Sequence, residues 1–203
     1  LRLNLADRAL RSPVRASAAA AELGPQELVI VAVKGPAMDS VAAGIAPLLG
    51  PDTMVLTAMN GVPWWFFAGM PGPLANARLA TLDPEGTIGA AIPTRNIIGC
   101  VVHAACAIEA PGLVRHVMGH GLIVGEAHGG RSERVEDLAR TLGQAGFEAR
   151  ATLRIQQDIW FKLWGNMTMN PVSAITGATC DRVLDHALVK RWITAVILEA
   201  PAV

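Results

Sequence analysis

The segment WFKLWGNMTMNPVSA, Trp160 to Ala174, carries one amine and two carboxamides at intervals of four, at Lys162, Asn166 and Asn170. In an α-helix a step of four residues overshoots a full turn by only ~40°, so these groups share one stripe along about two turns. An ammonium group and two carboxamides on one stripe are hydrogen-bonding groups that call for a ligand or a polar partner. Around the stripe, Ile155, Ile159, Trp160, Phe161, Leu163, Trp164, Met167 and Met169 cover nearly every other direction. That pattern predicts a helix buried all round. A lysine and two amides buried without partners would cost several kcal/mol, so the stripe is expected to face a polar cleft, a ligand or a carboxylate. Spacing alone leaves a plainer reading open, in which Lys162 snorkels to solvent and the asparagines serve turns.

The elements that would position this stripe follow from periodicity. LVIVAV, Leu28 to Val33, is a continuous apolar run between Gly24-Pro25 and Gly35-Pro36, the pattern of a parallel strand covered on both faces. Met38, Val41, Ala42, Ile45 and Leu48 then recur at helical spacing as far as Gly50-Pro51, and TMVLTA from Thr53 reads as the next strand. Together they make a βαβ crossover of a doubly wound sheet. Asn60-Gly61 follows at the carboxyl edge, where such sheets bind ligands, although the dipeptide is more often a plain turn. Ile97 to Ala110 reads as a further strand, and LVRHVM and GLIVGE as two short strands separated by a turn at Gly119 to Gly121. Ser132 to Leu142 is amphipathic, with Val135, Leu138, Ala139 and Leu142 on one side. From Ile155 onward the pattern is helical only, with Ala187 to Glu199 as a second long helix. The packing of Pro63 to Phe67, with two tryptophans and two phenylalanines, is that of a helix start.

Composition narrows the function class. The 203 residues are 52% hydrophobic, and 17 basic residues balance 17 acidic ones, so there is no electrostatic footprint for nucleic acid. The apolar runs fall short of the ~18 residues of a membrane span, and the first residues lack a basic, then apolar, leader pattern. Cys100, Cys106 and Cys180 form no CxxC or zinc spacing, which predicts reduced, mostly buried thiols. His116 and His120 lie on strand-like sequence without an HExxH motif, so no metal is expected.

VIVAVKG (Val29 to Gly35), MNGVPWW (Met59 to Trp65), IIGCVVHAA (Ile97 to Ala105), GLIVGE (Gly121 to Glu126) and IWFKLWGNMTMNPVSAITGAT (Ile159 to Thr179) together resemble the ketopantoate reductases, or 2-dehydropantoate 2-reductases, from about Glu22 to Glu199. The resemblance implies an α/β Rossmann-like domain followed by a helical domain, with the active site between them. It implies NADPH-dependent reduction of 2-dehydropantoate to pantoate on the route to pantothenate and coenzyme A. By the same resemblance Lys162 is the catalytic general acid and Asn166 and Asn170 bind substrate. Lys34, Asn60 and the backbone of Ala105 bind NADPH or NADP.

Departures from the family pattern shape the remaining expectations. No GxGxxG occurs, and only 27 residues precede the first clear strand, so the first βαβ part of the Rossmann-like domain is expected to be missing. The basic reader of the cofactor's 2′-phosphate belongs to that part, and Arg2, Arg8, Arg11 and Arg15 are not assigned to it. A serine and a glutamate that complete the family's site are expected beyond Val203, and Glu199 is not that glutamate. Cys180 stands where some relatives offer another asparagine. The expected division is a partial dinucleotide-binding domain over 1–154 and the start of an all-α substrate domain over 155–203. Two alternatives stay open: a paralogous reductase of another 2-oxo acid, and a non-catalytic truncated module that self-associates through Trp192, Ile193, Val196 and Ile197. The setting is read as cytoplasmic, the partner as a small 2-oxo acid rather than nucleic acid or membrane, with a homodimer possible.

Overall fold

A computed structural model describes residues 1–199; the last four residues of the 155–203 segment lie outside the described residues. The chain forms β1 (Arg2–Asn4), β2 (Ala9–Arg11), β3 (Leu28–Val31), α1 (Met38–Gly44), β4 (Met54–Ala58), α2 (Thr87–Ala91) and β5 (Ile97–Ala110). It continues through β6 (Leu113–Glu126), α3 (Glu133–Gln144), β7 (Glu148–Ala151), α4 (Ile155–Thr176), α5 (Cys180–Asp185) and α6 (Ala187–Glu199). The strands make one sheet in the order β2-β1-β6-β5-β4-β3, with β7 also on β6. β3, β4 and β5 are parallel, with Val29 beside Val55 and Val55 beside Ile97. The crossover read from the sequence is thus present.

Alternation along β5 divides the core into two layers. Ile98, Cys100 and Val102 face α3, whose Val135, Leu138, Ala139 and Leu142 are buried at helical spacing against them. Ile97 and Val101 face the other way, toward α1, α2, Trp64, Trp65, Phe66 and the first turns of α4. Gly99 is required on that face, because a Cβ there would lie 2.5 Å from the Trp65 ring and 2.6 Å from Ile155. The strand lets the helix approach its backbone. Gln156 secures the contact, its amide donating to the carbonyls of Ala68 at 3.2 Å and Ala127 at 2.5 Å. Asp158 accepts from Arg150 and from the Thr152 hydroxyl, both at 2.7 Å, fastening α4 to β7.

Several expectations are corrected. LVRHVM and GLIVGE form one 14-residue strand, β6, instead of two strands and a turn. Gly119, at φ +73°, absorbs one extra residue as a bulge, between the pairs His103–Gly121 and Ala105–Met118. A Cβ on Gly119 would stand 2.2 Å from the His103 carbonyl oxygen, so only glycine fits there. α1 is shorter than its apolar pattern, since Pro47 has no N–H to continue it and the chain tightens into a 3₁₀ turn, Ala46–Leu48. β3 lies at the edge of the sheet and is not covered on both faces: Val31 is buried and Ile30 is 53% exposed. Pro63 to Phe67 is a run of turns rather than a helix start, with Trp64, Trp65 and Phe66 in the core. Ile193 is buried under α6, leaving Trp192 exposed beside it.

Candidate active site

The stripe of α4 that carries Lys162, Asn166 and Asn170 is the continuation of the stripe that packs on the sheet. Ile155 and Ile159 are buried on Gly99 and its neighbours, and Lys162 and Asn166 follow them within ~60° around the helix axis. The helix therefore turns polar as it passes the carboxyl end of the parallel strands. Lys162 and Asn166 are half-buried and Asn170 is exposed. None of the three side chains hydrogen-bonds another described residue, so all are available to a ligand. The expectation of a helix buried all round is not met: α5 and α6 pack on α4, but Phe161 and Ile175 are 70% and 85% exposed. Pro171, inside the helix, cannot donate to the carbonyl of Met167, which leaves a backbone acceptor free next to Asn170.

A groove lies at the ends of β3, β4 and β5. A cavity of about 230 Å³ is lined by Ala32, Val33, Lys34, Gly35, Ala58, Met59, Asn60 and Val102, so Lys34 and Asn60 share one groove. Lys34 leads into a 3₁₀ turn after β3 with its side chain exposed. Asn60 also supports the sheet, since its Nδ2 donates to the Val102 carbonyl at 3.3 Å and its Oδ1 accepts from the Val102 N–H at 3.2 Å. The carboxamide thus extends the β4–β5 pairing by one rung after β4 has ended, and turns the chain at Gly61, φ +98°. Nothing stands within 4 Å of a Cβ built on Gly35 or Gly61, so the mouth of the groove is open to a flat ring. Ala105 is exposed two residues beyond His103, past the bulge, and does not line this cavity.

The sequence reading passed over His103. It follows Val102 on β5, on the face shared with Gly99 and Val101, and its cross-strand neighbour Gly121 leaves room for the ring. Burial, then the charges of Lys162 and Arg150, hold its pKa below the usual histidine value, against a weaker opposite pull from Asp158. His103 is exposed and does not line the Asn60 groove. The available signal was parity, since every second residue from Ile97 faces α4; the register that makes this useful is tertiary. The thiols also depart from expectation. Cys100 is buried and its pKa is pushed up to about 12 by that burial, whereas Cys106, on the projecting hairpin, and Cys180, at the start of α5, are exposed.

A groove at the carboxyl ends of parallel strands holds Lys34 and Asn60, and Lys162, Asn166 and Asn170 lie on the helix that packs on the same sheet. The family description for ketopantoate reductase PanE/ApbA matches residues 1–129, and its C-terminal counterpart matches residues 154–203. The chain belongs to the ketopantoate reductase PanE/ApbA family. Within that family it is 44% identical over 192 residues to the 2-dehydropantoate 2-reductase of Mesorhizobium japonicum, covering 95% of this chain and 59% of that protein. A crystal structure named for a ketopantoate reductase of Ralstonia solanacearum MolK2 is 58% identical, with a TM-score of 0.95 over 100% of this chain and 63% of that one. A 2-dehydropantoate 2-reductase structure from Geobacter metallireducens follows at 25% identity and TM-score 0.81, over 100% of this chain and 61% of that one. The chain thus spans about three-fifths of the length of these ketopantoate reductase relatives.

Proposed function

We propose that this chain carries the nicotinamide groove and the proton-donating helix of an enzyme that reduces 2-dehydropantoate (ketopantoate) to pantoate with NADPH. The carrying observation is the change of character along one face of α4. That face is apolar over Gly99 and becomes Lys162 and Asn166, whose side chains have no hydrogen-bond partner among the described residues. The open groove lined by Lys34 and Asn60, with unobstructed glycines at its mouth, fits the nicotinamide end of the cofactor. Bound there, the reduced nicotinamide would supply the hydride. Lys162 would stabilise the charge growing on the ketone oxygen and return a proton to it. Asn166 and Asn170 would hold the substrate's other oxygens so that one face of the carbonyl is presented to the groove. Ala105 would contribute through its backbone from the projecting part of β5.

The same proposal divides the chain near Arg154, with 1–154 serving the cofactor and 155–203 the substrate; the two family descriptions, matching on either side of that point, support it. A cytoplasmic setting and a homodimer formed through the helical part belong to it as well. Among the described residues no helix is long and apolar enough to cross a membrane. Exposed Leu188 and Trp192 on α6 suit a protein partner. The test is oxidation of NADPH with 2-dehydropantoate and with related 2-oxo acids, using this chain and a form extended to the length of its relatives. Turnover preferring 2-dehydropantoate is expected of the extended form. A preference for another 2-oxo acid would reassign the substrate, and no turnover by a folded extended form would leave the chain a non-catalytic module.

A further inference from the structure

We propose that the small chamber beneath the Asn60-Gly61 turn is a binding site for a single water molecule, through which Trp65 acts as a positioning residue for the cofactor groove. The kinetic consequence rests on the reductase reading; the site itself rests on geometry. Thr57, the turn from Met59 to Pro63, Trp65, Cys100 and Ile159 enclose a cavity of about 20 Å³, room for the centre of about one water. Trp65 is 4% exposed, and its Nε1 is buried with no acceptor among the described residues. A buried indole N–H left unbonded forfeits its hydration without return. Cζ2 and Cη2, on the nitrogen side of the indole, are the atoms that a Cβ on Gly99 would meet. Gly99 pairs with Thr57 in the β4–β5 register, so the N–H side of the ring is turned to the sheet beside Thr57. The buried Thr57 hydroxyl donates to the Ile98 carbonyl at 3.3 Å, which leaves its oxygen free to accept.

One water satisfies these groups together. It accepts from Trp65 Nε1–H, donates to the Thr57 hydroxyl oxygen and gives its second hydrogen to a backbone carbonyl of the turn, about three bonds, as is usual for a buried water. Met59 and Asn60 line both this chamber and the groove that also holds Lys34. The water therefore braces from below the turn whose carboxamide is fixed to Val102 from the side. Ile159 closes the chamber from α4, less than one turn before Lys162. Trp65 is thus bonded, through the water, to the turn that shapes the nicotinamide end of the groove. A phenylalanine at position 65 would fill the same apolar core without that bond.

Two measurements test this. A crystal structure of this chain should show one ordered water within about 3.0 Å of both Trp65 Nε1 and the Thr57 hydroxyl oxygen. An indole N–H bonded directly to a protein acceptor, or no ordered water beside it, would overturn the site. Kinetics of the extended enzyme test the positioning role. Trp65→Phe keeps an aromatic ring and removes the N–H, whereas Thr57→Val keeps the shape and removes the acceptor. Each should raise KM for NADPH about fivefold, with a much smaller change in kcat. The double variant should be no worse than the weaker-binding single one, because both substitutions release the same water. Additive effects, or a normal KM for NADPH in folded Trp65→Phe, would overturn the positioning role with the reductase reading intact. A water on Trp65 in an extended protein without reductase activity would instead uphold the site and reject the proposed reaction.

Discussion

The two ends of the segment of β5 that pairs with β4 and Asn60, residues 97–102, are built to opposite rules. At its amino end polar groups are paired: the Asn96 amide donates to the Thr53 carbonyl at 2.8 Å, and Arg134 grips buried Glu126 at 2.5 Å while also bonding the Arg95 carbonyl. At its carboxyl end Asn60 is tied to Val102, whereas on α4 the side chains of Lys162 and Asn166 have no hydrogen-bond partner among the described residues. Between them α4 packs on the sheet, apolar at Ile155 and Ile159 and polar from Lys162 onward. Stability and chemistry are thus separated along one strand. The separation follows from the parallel sheet, whose carboxyl edge is where successive loops diverge and leave a crevice.

The comparison is broken most severely at the open end. Lys162→Ala in the extended enzyme should lower kcat by roughly a thousandfold, within the range of general acid catalysis, with little change in denaturation midpoint; a rate near wild type would place the proton donor elsewhere. At the closed end, Arg134→Ala should cost about 3 kcal/mol in urea unfolding by stranding the buried carboxylate, with no selective effect on turnover. The pH dependence follows. Burial opposes ionisation of Glu126, but hydrogen bonds from Arg134 and Ser132 outweigh it and keep its pKa below the usual value. Its stabilisation is therefore full above the unfolded-state pKa of ~4.3 and disappears as pH falls through the lower folded value. The gap between wild type and Glu126→Gln should close in that acid window; a gap independent of pH would mean the charge is not responsible.

Gly99→Ala tests the middle of the strand, where a methyl group meets Trp65 and Ile155. A loss of about 2 kcal/mol is expected from overpacking, together with weaker substrate affinity because α4 is lifted as a unit. Normal kinetics in a destabilised protein would show that the two ends are less tightly coupled than the packing implies. Asn60→Ala should be milder, about 1 kcal/mol from the two hydrogen bonds to Val102, and should raise KM for NADPH more than for the 2-oxo acid. An effect confined to the 2-oxo acid would move Asn60 out of the cofactor groove. The smallest change is expected from thiol labelling: Cys106 and Cys180 should react in the native state and Cys100 only on unfolding, given its depth and raised pKa.

Local pattern determined much of this protein. The apolar runs at Leu28, Thr53 and Ile97, the helical spacing of α3, α4 and α6, and the four-residue interval of Lys162, Asn166 and Asn170 are properties of short windows, where side-chain period reports directly on backbone geometry. The five family-like segments carried the functional reading on the same basis. What only the tertiary structure decided depends on which segments meet. Gly119 read as a turn because a glycine's positive φ serves turn and bulge alike, and only pairing with β5 selects the bulge. Asn60 read as a turn residue or a cofactor ligand, but its hold on Val102 exists only because β4 ends at Ala58 while β5 runs on beside it. Nothing local announced where α4 would meet β5; a helix begun much later in the chain is laid across the strand because two glycines, Gly99 and Gly125, let Ile155 touch the sheet.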